Sequence, residues 1–133
     1  MSNPIRTLVV ILCLPLIVLG LGTMFNPMGM LERFAVQPQG MHGLNTLRAD
    51  IGGLLLGSAT LMLLGAWRNN TTWLLAAAVM MGAVAVGRLV GLAFDGFEAA
   101  VVPPLVVELV IAGVAIFAHR SSQAAVTRAN ETG

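Results

Sequence analysis

Four long apolar runs separated by short polar breaks set the plan of this chain: Thr7 to Phe25, Asn45 to Trp67, Thr71 to Phe94 and Ala99 to His119. Each holds about 20 residues, the length a helix needs to cross about 30 Å of hydrocarbon. The pattern predicts an all-α integral membrane protein, a four-transmembrane-helix antiparallel bundle filling residues 1–120 as a single domain. The polar residues 121–133 are expected to form a disordered cytoplasmic tail. The first run follows Arg6 and exceeds the apolar core of a secretory signal, so it reads as a retained span, kinked near its middle by Pro15. Arg68-Asn69-Asn70 leaves room only for a tight turn, which makes the second and third spans antiparallel neighbours.

The longest break, Asn26 to Leu44, carries its own pattern. Asn26 is placed to cap a helix with Pro27 at its first position, and Met30, Leu31 and Phe34 then form an apolar face opposite Glu32 and Arg33. A short interfacial helix is expected here, ending before Pro38, with Gln39-Gly40-Met41-His42-Gly43 as a flexible connection.

Composition agrees with the pattern. The chain is 57% hydrophobic and 10% charged, and its mean hydropathy of +0.88 lies outside the range of soluble globular domains. Its cations are all arginine and form no basic run, which excludes nucleic acid as a partner. Arg6, Arg68, Arg120 and Arg128 fall on one side of the spans, against Arg33 and Arg48 on the other. By the positive-inside rule both termini face the cytoplasm, and Trp67 and Trp73 mark that interface. Cys13 is the sole cysteine, so an internal disulfide and a thiolate metal cluster are both excluded. His42 and His119 fall at opposite membrane faces, the methionines read as packing residues, and no metal or cofactor is expected. Gly52-Gly53 opens a span with no preceding strand or nearby lysine, and reads as a packing device instead of a phosphate loop.

Charge inside the apolar runs is where chemistry enters. Arg88 and Glu108 interrupt the third and fourth spans, and an ionisable group at membrane depth costs several kcal/mol unless it is paired or hydrated. Helical spacing puts Asp50 on one face with Gly53 and Gly57, and Arg88 on one face with Gly91 and Asp95, beside the close-packing pair Gly87 and Gly91. The second stripe is expected to meet the second span. Counted from the helix ends, Arg88 and Glu108 come to matching depths of about 10 Å. One cluster is therefore expected near the outer third of the bundle: Arg48, Asp50, Arg88, Asp95 and Glu108, with Asn45 and His42 close above. Arg88 offers five donors in a rigid fork suited to carboxylates.

The stretch Asn45-Thr-Leu-Arg48-Ala49-Asp50-Ile-Gly52-Gly53, followed by Gly87-Arg88 and Asp95-Gly96, resembles domain of unknown function family 4345 (DUF4345), small bacterial proteins with four transmembrane helices. The resemblance spans nearly the whole chain and implies the same architecture in a bacterial inner membrane. Asp50 departs from the family pattern, where that position is often apolar or aromatic, which argues against a catalytic role common to the family. The resemblance supplies no reaction.

Three functions remain open on the residues. The cluster could hold a lipid or a hydrophobic small molecule, with Arg88 on its polar head and the glycine-rich seam along its tail. It could be a membrane-embedded acid/base enzyme of isomerase or ring-opening type, in which Asp50 or Glu108 moves a proton and Arg88 stabilises developing charge. Or the ion pairs could be structural, in an accessory subunit that meets a second copy or a partner protein through its Gly53/Gly57 and Gly87/Gly91 faces.

Overall fold

In the computed structural model residues 1–68 and 70–131 are described, and all regular structure among them is helical. Helix α1 (Asn3–Phe25) admits Pro4 in its first turn, where the backbone N–H is unpaired in any case. At its far end the chain bends into a 3-10 turn (Met28–Met30) and the short helix α2 (Leu31–Phe34), with the Asn26 side-chain oxygen accepting from the Gly29 amide at 3.2 Å. Ala35 then takes a left-handed conformation (φ 51°) and stops the helix. The expected loop helix is therefore present but starts later, at Leu31, and Asn26 holds the 3-10 turn before it instead of capping the helix itself.

The second span is composite. Helix α3 (Gly40–Thr46), a π-helical turn (Leu47–Gly52) and α4 (Gly53–Arg68) follow without a break. Helix α5 (Thr72–Phe94) and, after a 3-10 turn (Ala99–Val101), α6 (Val102–Glu131) complete the chain. Pro103 and Pro104 occupy the first turn of α6, where no backbone donor is lost to the helix. Among the described residues four helical stretches are long and apolar enough to cross a membrane: Asn3–Phe25, Gly40–Arg68, Thr72–Phe94 and Ala99–Ala124. The molecule is an all-α, multi-pass membrane bundle.

Close contacts show how the spans run. A methyl group at Gly20 would stand 2.7 Å from Leu56 Cγ, and one at Gly52 would stand 3.1 Å from Met24 Cγ. As position rises on α1 it falls on the second span, so the two are antiparallel. Methyl groups at Gly65, 2.7 Å from Leu74 Cγ, and at Gly57, 3.8 Å from Met80 Cε, do the same for α4 and α5. Glycine is required at Gly20, Gly52 and Gly65 because the neighbouring helix lies where a side chain would stand. Helix α1 packs on α4, α4 on α5 and α5 on α6, while α1 and α6 meet sparingly.

Each helix buries one stripe. On α5 it is Leu74, Ala77, Ala78, Met81 and Ala85, recurring at the helical period. Ile111, Ala112, Ala115 and Ala118 form the matching stripe of α6, and Glu108 extends it by one turn. The core is largely alanine, with Met62, Leu74, Met81 and Ile111 filling the gaps. Small residues suit a bundle whose packing must come from close approach, since lipid removes the hydrophobic drive between helices. The outward faces, among them Leu14, Val18, Val79 and Phe117, are exposed and belong to the hydrocarbon.

Three expectations differ from this picture. The second span begins at Gly40, not Asn45, so His42 and Asn45 are helical; Gly43 lets this first turn lie against Pro38. Helix α6 continues to Glu131, so residues 121–131 are helical instead of an unstructured tail. Gln123-Ala124-Ala125 are good helix formers and no glycine or proline intervenes before the end of the helix. Residues 132 and 133 of that tail, and Asn69 of the tight turn, lie outside the described residues. Third, the second and third spans do not meet through their glycine faces. No atom comes within 4 Å of a methyl built at Gly53 or Gly87, and Gly57 nears only Met80.

Candidate functional site

Arg88 and Glu108 meet. The Arg88 Nε donates to Glu108 Oε1 at 2.7 Å, joining α5 to α6 inside the spans. From the ends of their helices, six residues each, both lie about 9 Å deep at about 1.5 Å per residue. The two side chains differ in surroundings, with 34% of Arg88 exposed against 11% of Glu108. Glu108 sits on the buried stripe of α6, and its second oxygen, Oε2, is buried with no hydrogen-bond partner among the described residues. Arg88 uses only Nε, and among the described residues its two Nη groups make no hydrogen bond. The result is an ion pair with its anion inside the bundle and the end of its cation fork at the surface.

The rest of the expected cluster does not assemble. Among the described residues neither Asp50 nor Asp95 makes a hydrogen bond or ion pair through its side chain, and both are exposed. Asp50 lies within the π-helical turn. Counting at 3.6 residues per turn puts it on the face of Gly53 and Gly57, but a π turn holds an extra residue and rotates everything before it. Leu47 and Gly52 are thereby buried while residues 48–50 face outward. Arg48 reaches α1 instead of the carboxylates: its Nε donates to the Met24 carbonyl at 3.0 Å. That carbonyl lies in the last turn of α1, where a cation suits the negative end of the helix dipole. Asn45 and His42 are exposed at the start of the span. Asp95 follows α5, its backbone N–H bonded to the Gly91 carbonyl at 2.8 Å.

Sequence reasoning missed a latch at the opposite end. His119 Nδ1 lies 3.0 Å from the Thr71 carbonyl and 3.1 Å from Thr71 Oγ1, tying α6 to the start of α5. The signal was available, since His119 ends the fourth apolar run where Thr71 begins the third. A separate concavity of about 490 Å³ opens between α2 and the start of α3, lined by Met28, Leu31, Pro38, Met41 and Leu44. No residue of α5 or α6 lines it, so it is not part of the Arg88–Glu108 site.

Fold and site together define a small polytopic helical membrane protein with an ion pair between two of its spans. The model of the family described as Domain of unknown function (DUF4345) matches residues 4–119, and the chain belongs to that family. No curated protein and no solved structure matches it.

Proposed function

We propose that this protein binds a hydrophobic small molecule or lipid, held by its polar head at Arg88. One observation carries the reading. Arg88 is anchored through Nε yet leaves both Nη groups at the surface of the bundle, at a depth where hydrocarbon offers no acceptor. An arginine so placed needs an acceptor from outside the chain, and the polar head of an amphiphile supplies one. The acid/base alternative fits less well: Asp50 is exposed on another span, and the free oxygen of Glu108 is buried.

A second reading rests on the same 2.7 Å bond, which fixes α6 against α5 and would serve an accessory subunit as a register lock. In that case the Gly53/Gly57 and Gly87/Gly91 faces, open at Gly53 and Gly87, are the surfaces for a second copy or a partner helix. Native mass spectrometry of the protein ejected from nanodiscs separates the two. Binding predicts a co-purified lipid or quinone that Arg88→Gln loses; an empty bundle with a stable protein partner overturns it.

The membrane assignment extends the proposal. The arginine bias supports a topology with both termini in the cytoplasm, and we propose that orientation in a bacterial inner membrane. Alkaline phosphatase fused after Gln39 is then active, and the same enzyme fused at the C-terminus is silent; the reverse would invert the topology.

A further inference from the structure

We propose that Glu108 tunes this site to uncharged heads, so that Arg88 takes the carbonyl of a quinone, ketone or ester and disfavours carboxylates and phosphates. The inference rests on the reading that Arg88 holds a ligand head, and it names the class of that head. Arg88 alone would be an anion hook, since its fork matches carboxylate and phosphate oxygens two at a time. Glu108 changes that. With Oε1 on Nε at 2.7 Å, the side edge of the fork is occupied and only the two Nη groups at its end remain.

Charge then decides between the remaining ligands. An anion on the Nη groups would stand about 4 Å from the guanidinium centre and about 7 Å from the Glu108 carboxylate, so roughly half of its attraction is cancelled whatever the local dielectric. Screening by water does little to relieve this, because Glu108 is buried. The anion also gives up its own hydration, which a carbonyl hardly has to do. A carbonyl oxygen presents two lone pairs to two donors and meets no net charge.

A second carboxylate strengthens the bias. Asp95 Oδ2 lies 3.7 Å from where a Gly91 side chain would begin, one turn along α5 from Arg88. Approach along this face therefore passes one carboxylate and ends beside another. The neighbouring glycine face is open: around Gly87 nothing stands within 4 Å of a built methyl, and around Gly91 only that Asp95 oxygen does. An apolar tail can lie against the backbone there.

The test uses two probes whose tails differ by one carbon, decyl-benzoquinone and decanoate, offered at neutral pH to the full-length protein in nanodiscs of zwitterionic lipid. Retention is read by native mass spectrometry for wild type, Arg88→Gln and Glu108→Gln. Wild type is expected to retain the quinone about tenfold or more over decanoate, and Arg88→Gln to lose it. Glu108→Gln keeps an oxygen for Nε but removes the charge, and is expected to shift the preference towards decanoate by a similar factor. Should that variant fail to fold, the two probes on wild type decide alone. Decanoate bound through Arg88 as well as the quinone, or a Glu108→Gln preference that does not move, overturns the inference and leaves the binding reading standing. Retention of both probes at an Arg88-independent level, or of neither, overturns both.

Discussion

Replacing Arg88 by leucine tests whether the ion pair holds the bundle together. The substitution keeps an apolar side chain on α5 and strands the Glu108 carboxylate, whose residue is 9% exposed, with one oxygen newly unpaired and the other already so. Breaking a buried pair costs about 3–5 kcal/mol, and the one-third exposure of Arg88 puts this case at the lower end, about 3 kcal/mol. About 2 kcal/mol of that is the lost charge-assisted hydrogen bond, the remainder being the uncompensated carboxylate. The discriminating variant is the double one. Arg88→Leu with Glu108→Leu removes both charges and is expected to return to within about 1 kcal/mol of wild type, giving a coupling energy of about 2 kcal/mol or more. Unfolding in mixed micelles by titration with sodium dodecyl sulfate measures all four corners of the cycle. If Arg88→Leu lies within about 1 kcal/mol of wild type, or the double variant is no more stable than the single one, the pair does not do what its geometry implies.

Further outcomes follow from the packing. Gly20→Val should lose about 1–3 kcal/mol in the same assay, because its Cβ would stand 2.7 Å from Leu56 Cγ and 3.2 Å from the Leu56 backbone nitrogen. Gly53→Ala, with nothing within 4 Å, should be neutral or stabilising by about 0.5–1 kcal/mol, and equal losses at the two sites would contradict the packing described. Arg48→Gln should cost about 1 kcal/mol and speed hydrogen exchange in the last turn of α1, where its bond to the Met24 carbonyl is made; unchanged exchange there would dismiss the cap. Cys13, fully buried with its thiol 3.2 Å from the Val9 carbonyl, should resist maleimide in folded micelles and label completely after denaturation.

How much of the site the residues reveal depends on how local its geometry is. Arg88 and Glu108 can be paired from sequence, because each lies in an uninterrupted helix counted from a clear end, and both ends are at one face of the membrane. Asp50 and Arg48 cannot be placed that way. They sit in a π-helical turn, and one extra residue rotates the preceding helix, leaving Asp50 exposed and Arg48 against the end of α1. Asp95, one residue past α5, is exposed for a simpler reason: it lies in the short loop between α5 and the 3-10 turn, all of which is exposed.

By itself the sequence determined that this chain is four apolar helices, in which order they alternate, and that two opposite charges lie at one depth. Length, hydropathy and residue count suffice for that, because a bilayer allows few other solutions to an unsatisfied backbone. Tertiary structure alone decided which glycines meet a neighbour, that Arg48 caps α1 in place of joining the carboxylates, and that Arg88 shares only Nε with Glu108. Those outcomes depend on helix rotation and on contacts between residues far apart in the chain, neither of which a run of apolar residues encodes.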